Sequence, residues 1–125
     1  MIPINDYQKK IYQKLKEINY KIFDEVPVNE TLPLITIGEY SFSAGSIKGK
    51  CYIFDQDIDM YSDYEGKKEI NEMVSVVINK LESLVNENIT DAFFISDIKL
   101  DTCTVTRQEE GIYNANLKLK IEIEV

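Results

Sequence analysis

The chain has 125 residues, 44% of them hydrophobic, a size and composition that suit one domain around one core and exclude a disordered or fibrous class. Its net charge of −8 and the absence of any histidine argue against non-specific nucleic-acid binding and against histidine-dependent catalysis or zinc coordination. No apolar run approaches the roughly 20 residues needed to cross a bilayer, and residues 1–6 lack the basic and apolar regions of a signal peptide. The expectation is a protein that stays in the cytoplasm where it is made.

Ile4, Tyr7, Ile11, Leu15 and Ile18 recur at three- and four-residue steps, so residues 4–18 are predicted to form an amphipathic helix, with Asn5 or Asp6 able to cap it. Lysines flank the stripe: residues 1–23 hold five Lys against two acids, or +3, leaving −11 for the rest of a chain whose total is −8. A short extended piece is expected at Tyr20–Phe23, then a loop bounded by Pro27 and Pro33. Leu34–Ser43 reads as a strand, and Gly38 inside it suggests a bulge or a close backbone approach. Ser43, Ala44, Gly45, Ser46, Ile47, Lys48 and Gly49 are small or flexible and read as a hairpin loop running to Lys50. The small residues, with Lys48 and Lys50, suit a segment that seats on a neighbouring acidic subunit.

Lys50–Tyr61 alternates as a long strand, with Tyr52, Phe54, Ile58 and Met60 on one face and Cys51, Ile53, Asp55, Asp57 and Asp59 on the other. A second helix over about 67–86 carries Ile70, Met73, Val74, Val77, Ile78, Leu81, Leu84 and Val85. Two strands close the chain, Ala92–Thr106, with a break near Asp101, and Ile112–Val125, joined through Glu109-Glu110-Gly111. The predicted fold is α+β: an antiparallel sheet of four to five strands with two helices packed on one face.

Asp55, Asp57 and Asp59 are the sharpest chemical signal, since alternation puts three carboxylates on one face about 7 Å apart. Such oxygens suit Mg²⁺ or Ca²⁺, although an EF-hand is excluded because Met60 and Gly66 stand where that loop needs Gly and Glu. A solvated acidic face is the commoner fate of such a run. Cys51 and Cys103 lack the partners that zinc or nucleophilic chemistry requires and read as small apolar filler. Tyr12 and Tyr64 fall off the apolar stripes and are candidate contact residues. No phosphate-binding loop, dinucleotide fingerprint or nucleophile elbow is present, so the residues point to no catalytic centre and no cofactor.

Several segments, in order, resemble the tail-completion or tail-terminator proteins of long-tailed phages and prophages. They are Ile22-Phe23-Asp24-Glu25-Val26-Pro27, Leu32-Pro33-Leu34-Ile35-Thr36-Ile37-Gly38, Asp57-Ile58-Asp59-Met60-Tyr61-Ser62, Gly66 with the helix Glu69–Leu81, and Glu110-Gly111-Ile112-Tyr113-Asn114-Ala115. Tyr61 stands where relatives often carry Trp before the Ser, and the loop at 43–50 has fewer polar Thr-Lys positions than theirs. The resemblance implies a non-enzymatic subunit that forms a ring, commonly a hexamer, on the head-proximal end of the tail tube. Its implied partners are further copies of itself, the tail tube protein and the head connector protein, with DNA free to pass the lumen. It further implies assembly in the host bacterial cytoplasm and residence in the virion tail. Two other classes stay open: a metal-dependent phosphodiesterase built on Asp55, Asp57 and Asp59, and an acidic inhibitor that mimics nucleic acid.

Overall fold

The computed structural model describes residues 2–47 and 49–125. In chain order they form α1 (Ile4–Leu15), β1 (Lys21–Phe23), β2 (Leu34–Ala44), β3 (Cys51–Ser62), α2 (Lys68–Glu82), β4 (Phe94–Arg107) and β5 (Tyr113–Glu124), with a short 3₁₀ turn at Glu109–Gly111 before the last strand. The five strands make one sheet in the order β1-β2-β3-β5-β4. The fold is α+β, as the periodicity predicts.

Hydrophobic periodicity explains how the layers meet. Tyr7, Ile11 and Leu15 of α1 and Ile70, Met73, Val77 and Leu81 of α2 are buried. They pack on Phe54, Ile58 and Met60 of β3 and on Ala115, Leu117, Leu119, Ile121 and Ile123 of β5. The opposite face of those two strands carries the alternate residues, which apart from Cys51, Ile53 and Tyr61 are polar or charged. Ile4 and Ile18, the ends of the predicted first stripe, are only partly buried, and the helix stops at Leu15 instead of 18. Neither Asn5 nor Asp6 caps that helix: both lie within its first turn, Pro3 holds the cap position, and the Tyr7 amide donates to the Pro3 carbonyl at 2.9 Å.

Two expectations about the sheet are corrected. It is mixed, not purely antiparallel, because β1 runs parallel to β2 through Lys21↔Leu34, Ile22↔Ile35 and Phe23↔Thr36. A strand of three residues is only about 10 Å long, so the loop that follows it can return the chain to the same end without a helix. The strand expected to break near Asp101 instead runs unbroken through Phe94–Arg107, absorbing register shifts between Ile95 and Asp97 and between Leu100 and Thr102.

Gly38 sits at a third shift, where Ile37 pairs with Ile58 but Tyr40 pairs with Gln56. A Cβ at Gly38 would stand 3.2 Å from both the Cβ and the carbonyl oxygen of Asp57, so the bulge and the close approach read from the sequence occur together.

Candidate assembly interface

The sheet face turned away from the helices holds the acidic residues of β3. Antiparallel pairing of β3 with β5 sets Asp55 opposite Lys120, Asp57 opposite Lys118 and Asp59 opposite Asn116. The side chains close those pairs: Lys120 Nζ lies 2.7 Å from Asp55 Oδ1, Lys118 Nζ lies 3.0 Å from both Asp57 oxygens, and Asn116 Nδ2 donates to Asp59 Oδ1 at 3.0 Å. Hydrogen bonding to Asp57 holds the Lys118 ammonium above its ordinary range, and Asp55 does the same for Lys120. Each aspartate is thus engaged by its own cross-strand partner.

Among the described residues, the group of potential metal ligands that converges lies elsewhere. Cys51, Glu122 and Glu124 bring a sulfur and two carboxylate oxygens within 4.8 Å of one another at the far end of the same strand pair. Burial, with the nearby glutamates, pushes the Cys51 thiol up, which favours the protonated form and disfavours metal coordination. Both cysteines are free.

The hairpin residues lie at one end of the sheet. Ser43 and Ala44 belong to β2 rather than to the loop, and both are exposed. The Gly45 amide donates to the Cys51 carbonyl at 2.8 Å and the Lys50 amide to the Ile47 carbonyl at 3.1 Å, so the turn is tied down at both ends. Ser46, Ile47 and Lys50 are exposed, while Lys48 lies outside the described residues. A Cβ on Gly45 would overlap Cys51 Sγ, so no larger residue fits this turn unchanged.

The two tyrosines do not join that patch. Tyr64 follows the other end of β3, about 40 Å from the hairpin along a strand of 12 residues, and its amide donates to Ser62 Oγ at 3.2 Å. Tyr12 is exposed on α1, with Lys16 Nζ 5.7 Å from its ring centroid. It lines a cleft of about 470 Å³ together with Gln8, Phe23, Asp24, Ile37 and Gln56.

That cleft marks a step in the sheet edge. β1 covers β2 only along Leu34–Thr36, and among the described residues no strand pairs with the outer side of β2 from Ile37 to Ala44. Along this open stretch Tyr40 and Phe42 project on the helix-bearing face, still 38% and 37% exposed, with ring centroids 6.2 and 5.1 Å from that of buried Phe54. The bulge behind them is held by Gln56, whose Nε2 donates to the carbonyls of Gly38, Glu39 and Asp57 at 3.3, 3.4 and 2.9 Å. Its Oε1 accepts from the Tyr7 hydroxyl at 3.0 Å, so a buried polar side chain is satisfied on both sides.

Sequence reasoning missed Tyr40, Phe42 and Gln56. A glutamine between Phe54 and Ile58 on an otherwise apolar face was the available signal, since such a residue must find partners.

No family model matches the chain, and no curated protein does. Among solved structures, the chain is similar to a chain of a structure titled "Virion of native gene transfer agent (GTA) particle". The two share 16% identity at a TM-score of 0.74, covering 92% of each chain. At that identity the likeness is one of fold.

Proposed function

We propose that the chain is a structural virion subunit, and specifically a tail-completion protein that closes the head-proximal end of a phage or prophage tail. The observation that carries this reading is the fold shared with a virion chain over 92% of both chains. The ordered resemblance through Ile22–Pro27, Leu32–Gly38 and Asp57–Ser62 supports the finer assignment. In this reading copies of the chain form a ring, with the hexamer as the expected number, between the tail tube protein and the head connector protein. The subunit is made in the host cytoplasm, ends in the virion tail, and catalyses nothing. An acidic chain suits a passage for DNA, because like charge keeps the polyanion from adhering.

The test is mass measurement by light scattering over a concentration series, alone and with purified tail tubes. A defined ring, in solution or at tube ends, is the expected result. A chain that stays monomeric and ignores tubes at every salt concentration overturns the reading.

A further inference from the structure

The sheet has two open edges, and they match. One is the outer side of β2 from Ile37 to Ala44; the other is the outer side of β4 beyond Ile95, where among the described residues only β5 pairs with it, Asn86–Asn88 bonding its first residues, Phe94 and Ile95. Unpaired edges of this length invite another strand. Because β2 opposes β3, β3 opposes β5 and β5 opposes β4, the two open strands run in opposite directions. Copies placed side by side with their helices on a common face would therefore continue the antiparallel alternation.

The side chains match as well. Leu100 pairs with buried Leu119, so it lies on the helix-bearing face of β4, where it is 53% exposed. Cys103 and Val105 follow on that face, half-buried. These are the apolar counterparts of Tyr40 and Phe42. Charge agrees too: Arg107, the sole arginine of the chain, is exposed at the end of β4 and has no ion-pair partner among the described residues. The step beside β2 is acidic, with Asp24, Glu25 and Glu39 all exposed.

We propose that the partner of the β2 edge is β4 of a second copy of this chain, paired antiparallel. Setting Phe42 opposite Leu100 brings Tyr40 opposite Cys103 and Ile37 opposite Val105, with the bulges of both strands absorbed. Beyond Val105 the outer side of β2 is held by β1, so Thr106 and Arg107 leave the sheet at the end of β1, beside Asp24 and Glu25. Each copy uses one edge to give and the other to receive, a head-to-tail arrangement that closes into a ring when the rotation per copy divides the circle. This inference rests on the ring reading above and names its seam.

The experiment uses three full-length variants: Phe42→Lys on the β2 edge, and Leu100→Lys and Arg107→Glu on the β4 edge. Circular dichroism establishes that each is folded. Arg107→Glu, a change to an exposed side chain, keeps the test valid if an apolar replacement disturbs the fold. Each variant alone should associate on the order of tenfold or more weakly than the unaltered chain, in solution or at tube ends. An equal mixture of Phe42→Lys and Leu100→Lys retains one intact junction per pair, and should give a 1:1 dimer and nothing larger.

If the unaltered chain forms rings and all three variants do so equally well, the seam lies elsewhere and only this inference falls. If the variants form rings but no longer bind tubes, the edge receives a strand of the tube protein and the inference is again overturned. If the unaltered chain is monomeric both alone and with tubes, this inference and the ring reading fall together.

Discussion

Tyr7 lies face to face on Phe54, with ring centroids 3.9 Å apart and planes inclined by 17°. This stack docks α1 onto β3 and aims the Tyr7 hydroxyl at Gln56, the residue that holds the β2 bulge. Burial, with the charge of Asp55 adding to it, pushes the phenol far above its ordinary range, so it stays a donor at every accessible pH.

Tyr7→Phe keeps the stack and removes the donor, leaving a buried Gln56 oxygen without its partner. The expected cost is about 1–3 kcal/mol of stability by denaturant titration, while Tyr7→Ala, which also empties core volume, should cost about 3–5 kcal/mol. If Tyr7→Phe is neutral, the hydroxyl does not matter to the fold.

Gly45→Ala tests the hairpin. The added Cβ would overlap Cys51 Sγ and stand 2.9 Å from Cys51 Cβ, so one strand end must move. A loss of about 1–3 kcal/mol is expected, as for other overpacked sites. Adding Cys51→Ala removes the obstructing sulfur and should recover part of it. Thermal melts of both variants measure the recovery, and none would mean that backbone geometry sets the cost.

Glu87 joins the segment after α2 to α1, with Lys10 at 3.1 Å and Lys14 at 3.4 Å. Hydrogen bonding to Lys10, then the charges of both lysines, holds its carboxyl below the usual range. A lowered folded pKa gives stability that is present above the unfolded value of about 4.3 and is lost as pH falls through the folded one. Glu87→Gln should therefore melt slightly lower than the parent at pH 7, and the two should converge in acid as pH falls through the lowered folded value. The side chain is 37% exposed, so solvent screening limits the difference to about 0.2–1 kcal/mol. A gap that persisted in acid would assign the effect to packing.

Replacing Asp55, Asp57 and Asp59 together with Asn removes three carboxylates and takes the net charge from −8 to −5. Lys118 and Lys120 lose their partners on an exposed face, so far-UV circular dichroism should be unchanged. Assembly should respond less to added salt or Mg²⁺ than in the parent. Should the replacement instead abolish a metal-dependent hydrolysis of nucleotides or nucleic acid, the phosphodiesterase reading replaces the assembly one.

The helices and long strands were legible because burial imposes a period, and Ile70, Met73, Val77 and Leu81 or Leu117, Leu119 and Ile121 display it directly. The parallel placement of Lys21–Phe23 was not, since three residues carry too little pattern to choose a neighbour. The engagement of Asp55 and Asp57 by Lys120 and Lys118 depends on a strand register between residues some sixty positions apart, which local periodicity cannot supply. The open edges escaped for a related reason. An edge is defined by which strand fails to pair beyond Thr36, and no residue type announces that.

The bulge at Gly38 also fixes a parity. Ile35 and Ile37 share the helix side, and an unbroken alternation would send residue 39 there next, with Tyr40 and Phe42 facing the Asp–Lys ladder. The one surplus residue reverses that phase for everything up to the hairpin. Removing the surplus residue itself, Gly38 or Glu39, would restore plain alternation and leave Ile37, Tyr40 and Phe42 on the helix side. With the bulge kept, a single insertion or deletion between Tyr40 and Phe42 would turn the Phe42 ring to the polar side of the sheet, and a change of two would move the hairpin tip along the strand axis while leaving every facing intact.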